Sequence, residues 1–223
     1  MIKAELVELK NNNYNLRDME IIDELENKVS SLANCKYGIA IDCCTDAIFL
    51  SLQYLLQRGE IKEGDYICIP KRTYLSVPNT LLHCRLRIKF KDIEWSGVYQ
   101  LSPSRVWDGA VRFTENMYVG NNALQCISFQ YKKILSLGRG GMILTDDKDA
   151  MEWLKLARFH GRTVGKSQFE DEFKFPGWNM YMIPADAARA ILTFDRLPKT
   201  NKDSGGSDTY PDLSLKRIYN ESC

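Results

Sequence analysis

Lys133 lies in the run SFQYKKILSLGRGG (128–141), directly behind the apolar segment LQCISF (124–129). It stands five residues beyond Ser128, with Gly138, Gly140 and Gly141 close behind. A neutral lysine amine held in a crowded loop at a strand end can form a Schiff base with a carbonyl cofactor. The same Lys132-Lys133 pair also reads as two surface cations before a turn. Three further stretches, together with Ser128 of the same run, bear on these readings. RVWD (105–108) ends in Asp108, a carboxylate that could keep a pyridine nitrogen protonated through a charge-assisted hydrogen bond, or simply cap the next turn. YGIAID (37–42) runs into Cys43-Cys44-Thr45 and a long amphipathic pattern. Backbone N–H groups and the Thr45 hydroxyl there make a phosphate cradle, and Thr45 as a plain N-cap uses the same geometry. DYICIP (65–70) is followed by Tyr74, an aromatic face for a flat ring or an ordinary exposed loop tyrosine. Ser128 offers a second phosphate donor. A phosphate cradle, an aromatic plate, a carboxylate and a lysine together are the contacts that pyridoxal 5′-phosphate requires.

These residues need elements to carry them. Strand patterns at 37–42, 65–70, 86–93, 105–108, 124–129 and 141–146 alternate with helical patterns at 18–33, 45–59, 76–84, 148–161 and 184–197. The alternation predicts an α/β fold with a mostly parallel sheet flanked by helices. Ligands of such sheets bind beyond the carboxyl ends of the strands, where all the residues above fall. Gly59 and Gly161 close their helices as C-cap residues, and His160 falls in a last helical turn, where the helix dipole favours it. Residues 1–197 make one large domain, and the Gly/Ser-rich 198–223 reads as a linker with a short amphipathic tail.

Bulk properties narrow the function. With 30 basic and 29 acidic residues the charge is balanced, which excludes a nucleic-acid or membrane-surface binder driven by bulk charge. The basic stretch CRLRIKFK (84–91) alternates strictly with apolar residues, as the solvated side of a strand does. Seven cysteines without a C-x-x-C pair read as reduced thiols. The N-terminus lacks the apolar core of a signal peptide and no window reaches membrane-spanning length, so a soluble, cytoplasmic protein is expected. Gly138-Arg-Gly140-Gly141 does not open a helix, which disfavours a Rossmann-type nucleotide site.

The chain resembles the DegT/StrS-type nucleotide-sugar aminotransferases, fold-type I pyridoxal-phosphate enzymes. YGIAIDCCTDAIFLSL resembles their strand leading into S-G-T-D-A-L. GDYICIPKRTYLSVPNTL is similar to their G-D-E-V-I-x-P stretch with its Thr and aromatic residue, and VWDGA to their I-E-D-A-A. CISFQYKKILSLGRGGMILTDD matches their S-F-x-x-x-K-x-L-x-x-G-x-G-G block most closely. HGR and PGWNMYMIPADAARAIL resemble H-G-R and G-x-N-x-R-M with the helix that follows. The likeness covers roughly residues 20–197, in order.

The resemblance implies that Lys133 rather than Lys132 carries the cofactor, that Asp108 pairs with the pyridinium, and that Thr45, Ser128 and the amides from Cys44 hold the phosphate. Tyr74 would stack on the ring. Asn179 would reach the phosphate of a neighbouring subunit, implying a homodimer. An amino group, from glutamate, would pass to a keto-sugar carried on a nucleotide, in polysaccharide biosynthesis. The departures from the family pattern are Cys44 for its glycine, Val111 for its Gln or His, and Tyr181 for its Arg or Lys. A strand-helix unit is missing between DIEW (92–95) and RVWD, leaving a connection too short for the usual parallel crossover, and the C-terminal small domain is largely absent. These losses support an alternative: a catalytically impaired remnant acting as a binding or regulatory subunit.

Overall fold

The computed structural model describes residues 4–12 and 18–220. In chain order the elements are α1 (Ala4–Asn11), α2 (Asp18–Ala33), β1 (Tyr37–Ile41), α3 (Cys44–Arg58), β2 (Tyr66–Pro70), α4 (Ser76–His83), β3 (Arg87–Lys91), β4 (Tyr99–Gln100), β5 (Val106–Asp108), β6 (Leu124–Ser128), β7 (Gly141–Thr145), α5 (Lys148–Ala157), α6 (Pro184–Phe194) and α7 (Arg217–Asn220). Two 3₁₀ turns, Ser207–Thr209 and Leu213–Leu215, precede α7.

Strand periodicity sorts the core into two layers. Ile39, Ile41, Cys126 and Ile143 point to one face and join the apolar sides of α3, α4 and α5. Ala40, Ile127, Met142 and Leu144 point to the other, against α2 and α6. Successive strand side chains face opposite ways, so buried strands with both faces covered read as continuous apolar runs. In α2 the buried Ile21, Ile22, Leu25 and Val29 recur at helical spacing, each contributing about 1.5–3 kcal/mol by leaving water. Helix α3 ends at Gly59, whose left-handed φ of 71° lets its N–H reach the carbonyls of Leu55 and Leu56.

The α/β layers are as expected, but the sheet is mixed rather than mostly parallel. Its order is β1-β7-β6-β5-β4, with a separate parallel pair β2-β3. Only β5-β6 is parallel within the larger sheet; β1-β7, β7-β6 and β5-β4 are antiparallel. The connection from β6 to β7 contains turns and no helix, and a parallel return ordinarily needs a helical crossover.

The same rule applies to the connection between DIEW and RVWD, too short for a parallel crossover. The short connection makes a hairpin instead: β4 pairs antiparallel with β5, Tyr99 opposite Asp108. Just beyond it, Ser102 and Cys68 exchange backbone hydrogen bonds of 2.7 and 3.1 Å, joining the hairpin to β2. His160 also lies elsewhere than expected, three residues past the end of α5 with a left-handed φ of 60°. Its N–H donates to the Trp178 carbonyl, so it belongs to a turn and not to the helix.

Residues 198–220, expected as linker and tail, fold back across the sheet. Asp203 takes two bonds from Arg112 (2.7 and 2.9 Å), Gly206 bridges Ser96, and Leu213 donates its N–H to Lys71. Leu213 and Tyr219 are buried in the main core. This segment is called the strap below.

Candidate active site

The first turn of α3 forms one corner. Cys43 caps the helix, its sulfur accepting from the Asp46 N–H (3.4 Å) and donating to the Asp46 carboxylate (3.1 Å). Burial pushes the Cys43 thiol up to about 12, so it stays a neutral donor. Cys44 and Thr45 are half-buried, and first-turn position leaves their N–H groups without an intrahelical acceptor. Among the described residues the Thr45 hydroxyl has no partner. Ser128, at the end of β6, lies opposite Gly141 of β7. Gly141 is pressed so close to α3 that a Cβ would stand 2.6 Å from the Cys44 nitrogen and 2.7 Å from the Cys43 carbonyl carbon. Only glycine permits that approach, and it brings the Ser128 hydroxyl beside the helix N-terminus. Ser128 Oγ accepts from the Gln130 N–H (3.3 Å) and keeps its own proton for another acceptor.

The rim of this corner is acidic. Arg139 spans Asp42 (2.7 Å) and Asp46 (3.4 Å). Burial, and then the Asp46 carboxyl, raise Asp42 to about 6, while Arg139 opposes them. Asp42, Cys43 and Asp46 bring three ligand-type atoms within 4.8 Å of one another, and the Arg139 guanidinium sits against all three residues.

The opposite corner is Asp108, only 6% exposed at the end of β5. Its Oδ1 accepts the Ala110 N–H (2.9 Å) and its Oδ2 the Tyr99 hydroxyl (2.7 Å). Burial raises its pKa; the two hydrogen bonds and the charge of Lys133 work the other way. Lys133 is half-buried while Lys132 is exposed with its ammonium over the Tyr131 ring. The charge of Lys133 acts on both Asp108 and the Cys44 thiol, so amine, carboxylate and the first turn of α3 lie within electrostatic reach of one another.

Sequence reasoning named Cys44, Thr45, Asp108, Ser128 and Lys133, and the fold gathers these five. Tyr74 is 53% exposed and lies edge-on to Tyr210 of the strap at 6.4 Å. Asn179 is exposed on a segment bridged to Phe159, though the next carbonyl, of Met180, accepts the Asp42 N–H (2.9 Å). Val111 is buried, and its carbonyl receives Ser204 of the strap. Tyr181 bridges Ile41.

Three residues of this wall were missed. Tyr99 meets Asp108, Trp95 packs on Tyr99 at 4.6 Å, and Tyr210 stacks on Trp95 at 5.9 Å. They sit in the shortened connection and in the strap, where no motif marks them. The one usable signal was an aromatic-rich connection too short for a crossover. Chemically, the two corners can hold an anion at one end and a flat, protonated ring nitrogen at the other, with an amine between.

Comparison with known proteins gives the same frame. SpsC, a spore coat polysaccharide biosynthesis protein of Bacillus subtilis (strain 168), is 22% identical over 230 residues, covering 81% of this chain and 58% of that protein. The UDP-4-amino-4,6-dideoxy-N-acetyl-beta-L-altrosamine transaminase of Helicobacter pylori is 29% identical over 133 residues, covering 47% and 35%. The E. coli GDP-4-keto-6-deoxy-D-mannose-3-dehydratase with bound hydrated PLP superposes with a TM-score of 0.66 at 18% identity, covering 87% of this chain and 64% of that one. The sugar aminotransferase CalS13 from Micromonospora echinospora gives 0.68 at 16% identity, covering 88% and 66%. The chain thus spans less than two thirds of the length of each of these relatives. Residues 2–115 and 109–205 match the DegT/DnrJ/EryC1/StrS aminotransferase family, and the chain belongs to it.

Proposed function

We propose that the chain is a compact pyridoxal-phosphate-dependent aminotransferase that moves an amino group, from glutamate, to a keto-sugar carried on a nucleotide. The observation that carries this reading is the buried Asp108 facing the Lys133 ammonium beside the open N–H groups of α3. The donor set fits the cofactor. A carboxylate accepts up to about four hydrogen bonds, so Asp108, with two in use, retains capacity for a ring N–H. Cys44 and Thr45 amides with the Thr45 and Ser128 hydroxyls suit a phosphate at a helix N-terminus.

When bound, the cofactor supplies a carbonyl that takes up an amine and a ring that withdraws electrons from the adjoining carbon. Lys133 would hold the carbonyl end of the cofactor, and its Nζ would move a proton to and from the substrate. Asp108 keeps the ring nitrogen protonated, and Ser128, Thr45 and Cys44 fix the phosphate end. Tyr99, Trp95 and the strap exclude water from the carboxylate side. Asn179, at the surface, would reach the phosphate of a second copy, in a homodimer with shared sites. The names of SpsC and of the Helicobacter pylori transaminase support polysaccharide and nucleotide-sugar chemistry. No helix among the described residues is long and apolar enough to cross a membrane, and a cytoplasmic site of action is proposed with the rest.

Adding the cofactor to purified protein should give a visible absorption band that Lys133→Ala abolishes, and borohydride should fix the cofactor to Lys133. Absence of both in the intact chain rules the reading out. A second reading, a binding or regulatory subunit without turnover, is favoured by Val111 and by Tyr210, which the strap sets against Tyr74. A band that glutamate and other common amino donors never bleach selects this alternative.

A further inference from the structure

Asp108 is held by a hydroxyl relay that no motif announced. The single O–H of Tyr99 is given to Asp108 Oδ2 at 2.7 Å. The contact between the Tyr99 and Thr73 hydroxyls must therefore run from Thr73 as donor to Tyr99 as acceptor. Both residues are buried, Thr73 to 1% and Tyr99 to 6% exposure, and the Ala110 N–H fixes the other carboxylate oxygen. We infer that Tyr99, backed by Thr73, is a positioning residue that keeps Asp108 ionised and aimed at a bound ring. Tyr99 reaches the carboxylate only because the shortened connection folds as a hairpin, placing Tyr99 opposite Asp108 in the β4–β5 ladder. The inference rests on the cofactor reading above.

The electrostatics agree in direction. Burial holds the Asp108 carboxyl above the usual carboxylate range, and the Tyr99 hydrogen bond is one of the forces pulling it back. The groups facing Asp108 are Tyr99 from β4, Lys133 from the loop after β6, Cys44 from α3, Cys126 from β6 and Tyr210 from the strap. Burial raises Cys44, Cys126, Tyr99 and Tyr210. Asp42 lies at the phosphate corner and affects parent and variant alike.

The experiment compares parent and Tyr99→Phe full-length chains in two ways. Carbon NMR follows the Asp108 carboxyl without cofactor, and absorbance titration follows pyridoxal-phosphate binding as a function of pH. In Tyr99→Phe the Asp108 titration should move to higher pH, and the pH below which cofactor is lost should rise with it. Affinity near neutrality should fall roughly tenfold, the usual weight of a hydrogen bond to a charged group. Thr73→Val should move both curves the same way by less, and Thr73→Ser should restore them. Unmoved curves in a folded Tyr99→Phe protein overturn the inference; if that variant does not fold, unmoved curves in Thr73→Val do so. Failure of the parent to take up cofactor defeats the cofactor reading instead, and the NMR titration then still decides whether Tyr99 governs Asp108.

Discussion

The helix corner and the carboxylate wall meet the same space but are built differently. The corner at Cys44, Thr45, Ser128 and Gly141 consists of backbone brought together by one glycine and by neighbouring strand ends. The wall at Asp108 consists of side chains from the β4–β5 hairpin, from Trp95 just before it and from the strap, which lies far on in the sequence. The corner stands on regular strand and helix ends, while the wall is built around the short connection that folds as the β4–β5 hairpin. A site half made of backbone geometry and half of aromatic packing should respond unequally to damage.

The largest effect should come from beneath the corner. Glu26 accepts the Ala40 N–H while Arg158 binds both Glu26 and the Ala40 carbonyl, clamping β1 where it feeds α3. Arg158→Met removes one of the two cations on the buried Glu26 carboxylate, Lys155 still holding Oε2 at 3.0 Å, a loss of about 3 kcal/mol in unfolding free energy, the low end for a broken buried pair. Denaturant unfolding measures it, and a loss well under about 1 kcal/mol would detach the clamp from stability. Next, Leu213→Ala empties the buried anchor of the strap and should cost about 2 kcal/mol, the low end for such truncations. Hydrogen exchange should then rise across 203–213 while the α3 amides stay protected; equal rises in both would erase the distinction between the two corners.

Gly141→Ala tests the corner itself. A methyl group forced to 2.6 Å from the Cys44 nitrogen must displace α3, at about 1–3 kcal/mol. It should weaken phosphate-end binding far more than it alters the Asp108 titration.

The smallest effect is one of pH. Asp42 titrates at about 6 in the folded chain, raised first by burial and then by Asp46. The folded chain therefore holds a proton that the unfolded chain has released. Its stabilising contribution is complete in acid and is lost as pH rises through about 6. Asp46→Asn should draw the Asp42 titration back toward ordinary carboxylate values, as carbon NMR would show.

The two regions were also unequally legible in the sequence. The resemblance separated Lys133 from Lys132, through the match of its spacing to Gly138, Gly140 and Gly141 with the family block, and Lys133 is half-buried where Lys132 is exposed. Strand and helix patterns marked β1, β6, β7, α2 and α3 within a residue or so, because burial on regular elements imposes a local period. The strand directions were not marked. A buried strand of five residues reads the same in either direction, so β7 disclosed its burial and concealed its antiparallel pairing. Helix α1 went unnoticed because a single residue, Leu9, is buried in it.

The sequence by itself determined which residues have the chemistry: an amine at 133, a carboxylate at 108, hydroxyls at 45 and 128, and glycines where backbone must come close. These follow from residue type and short-range spacing, which the chain carries wherever it folds. Only the tertiary structure decided that Tyr99 would reach Asp108, that Trp95 and Tyr210 would stack beside it, and that Tyr74 would meet Tyr210 edge-on. Those contacts join segments separated by up to more than a hundred residues, and nothing local to either partner encodes the other; the short connection, unable to cross over, folded as a hairpin and brought them together.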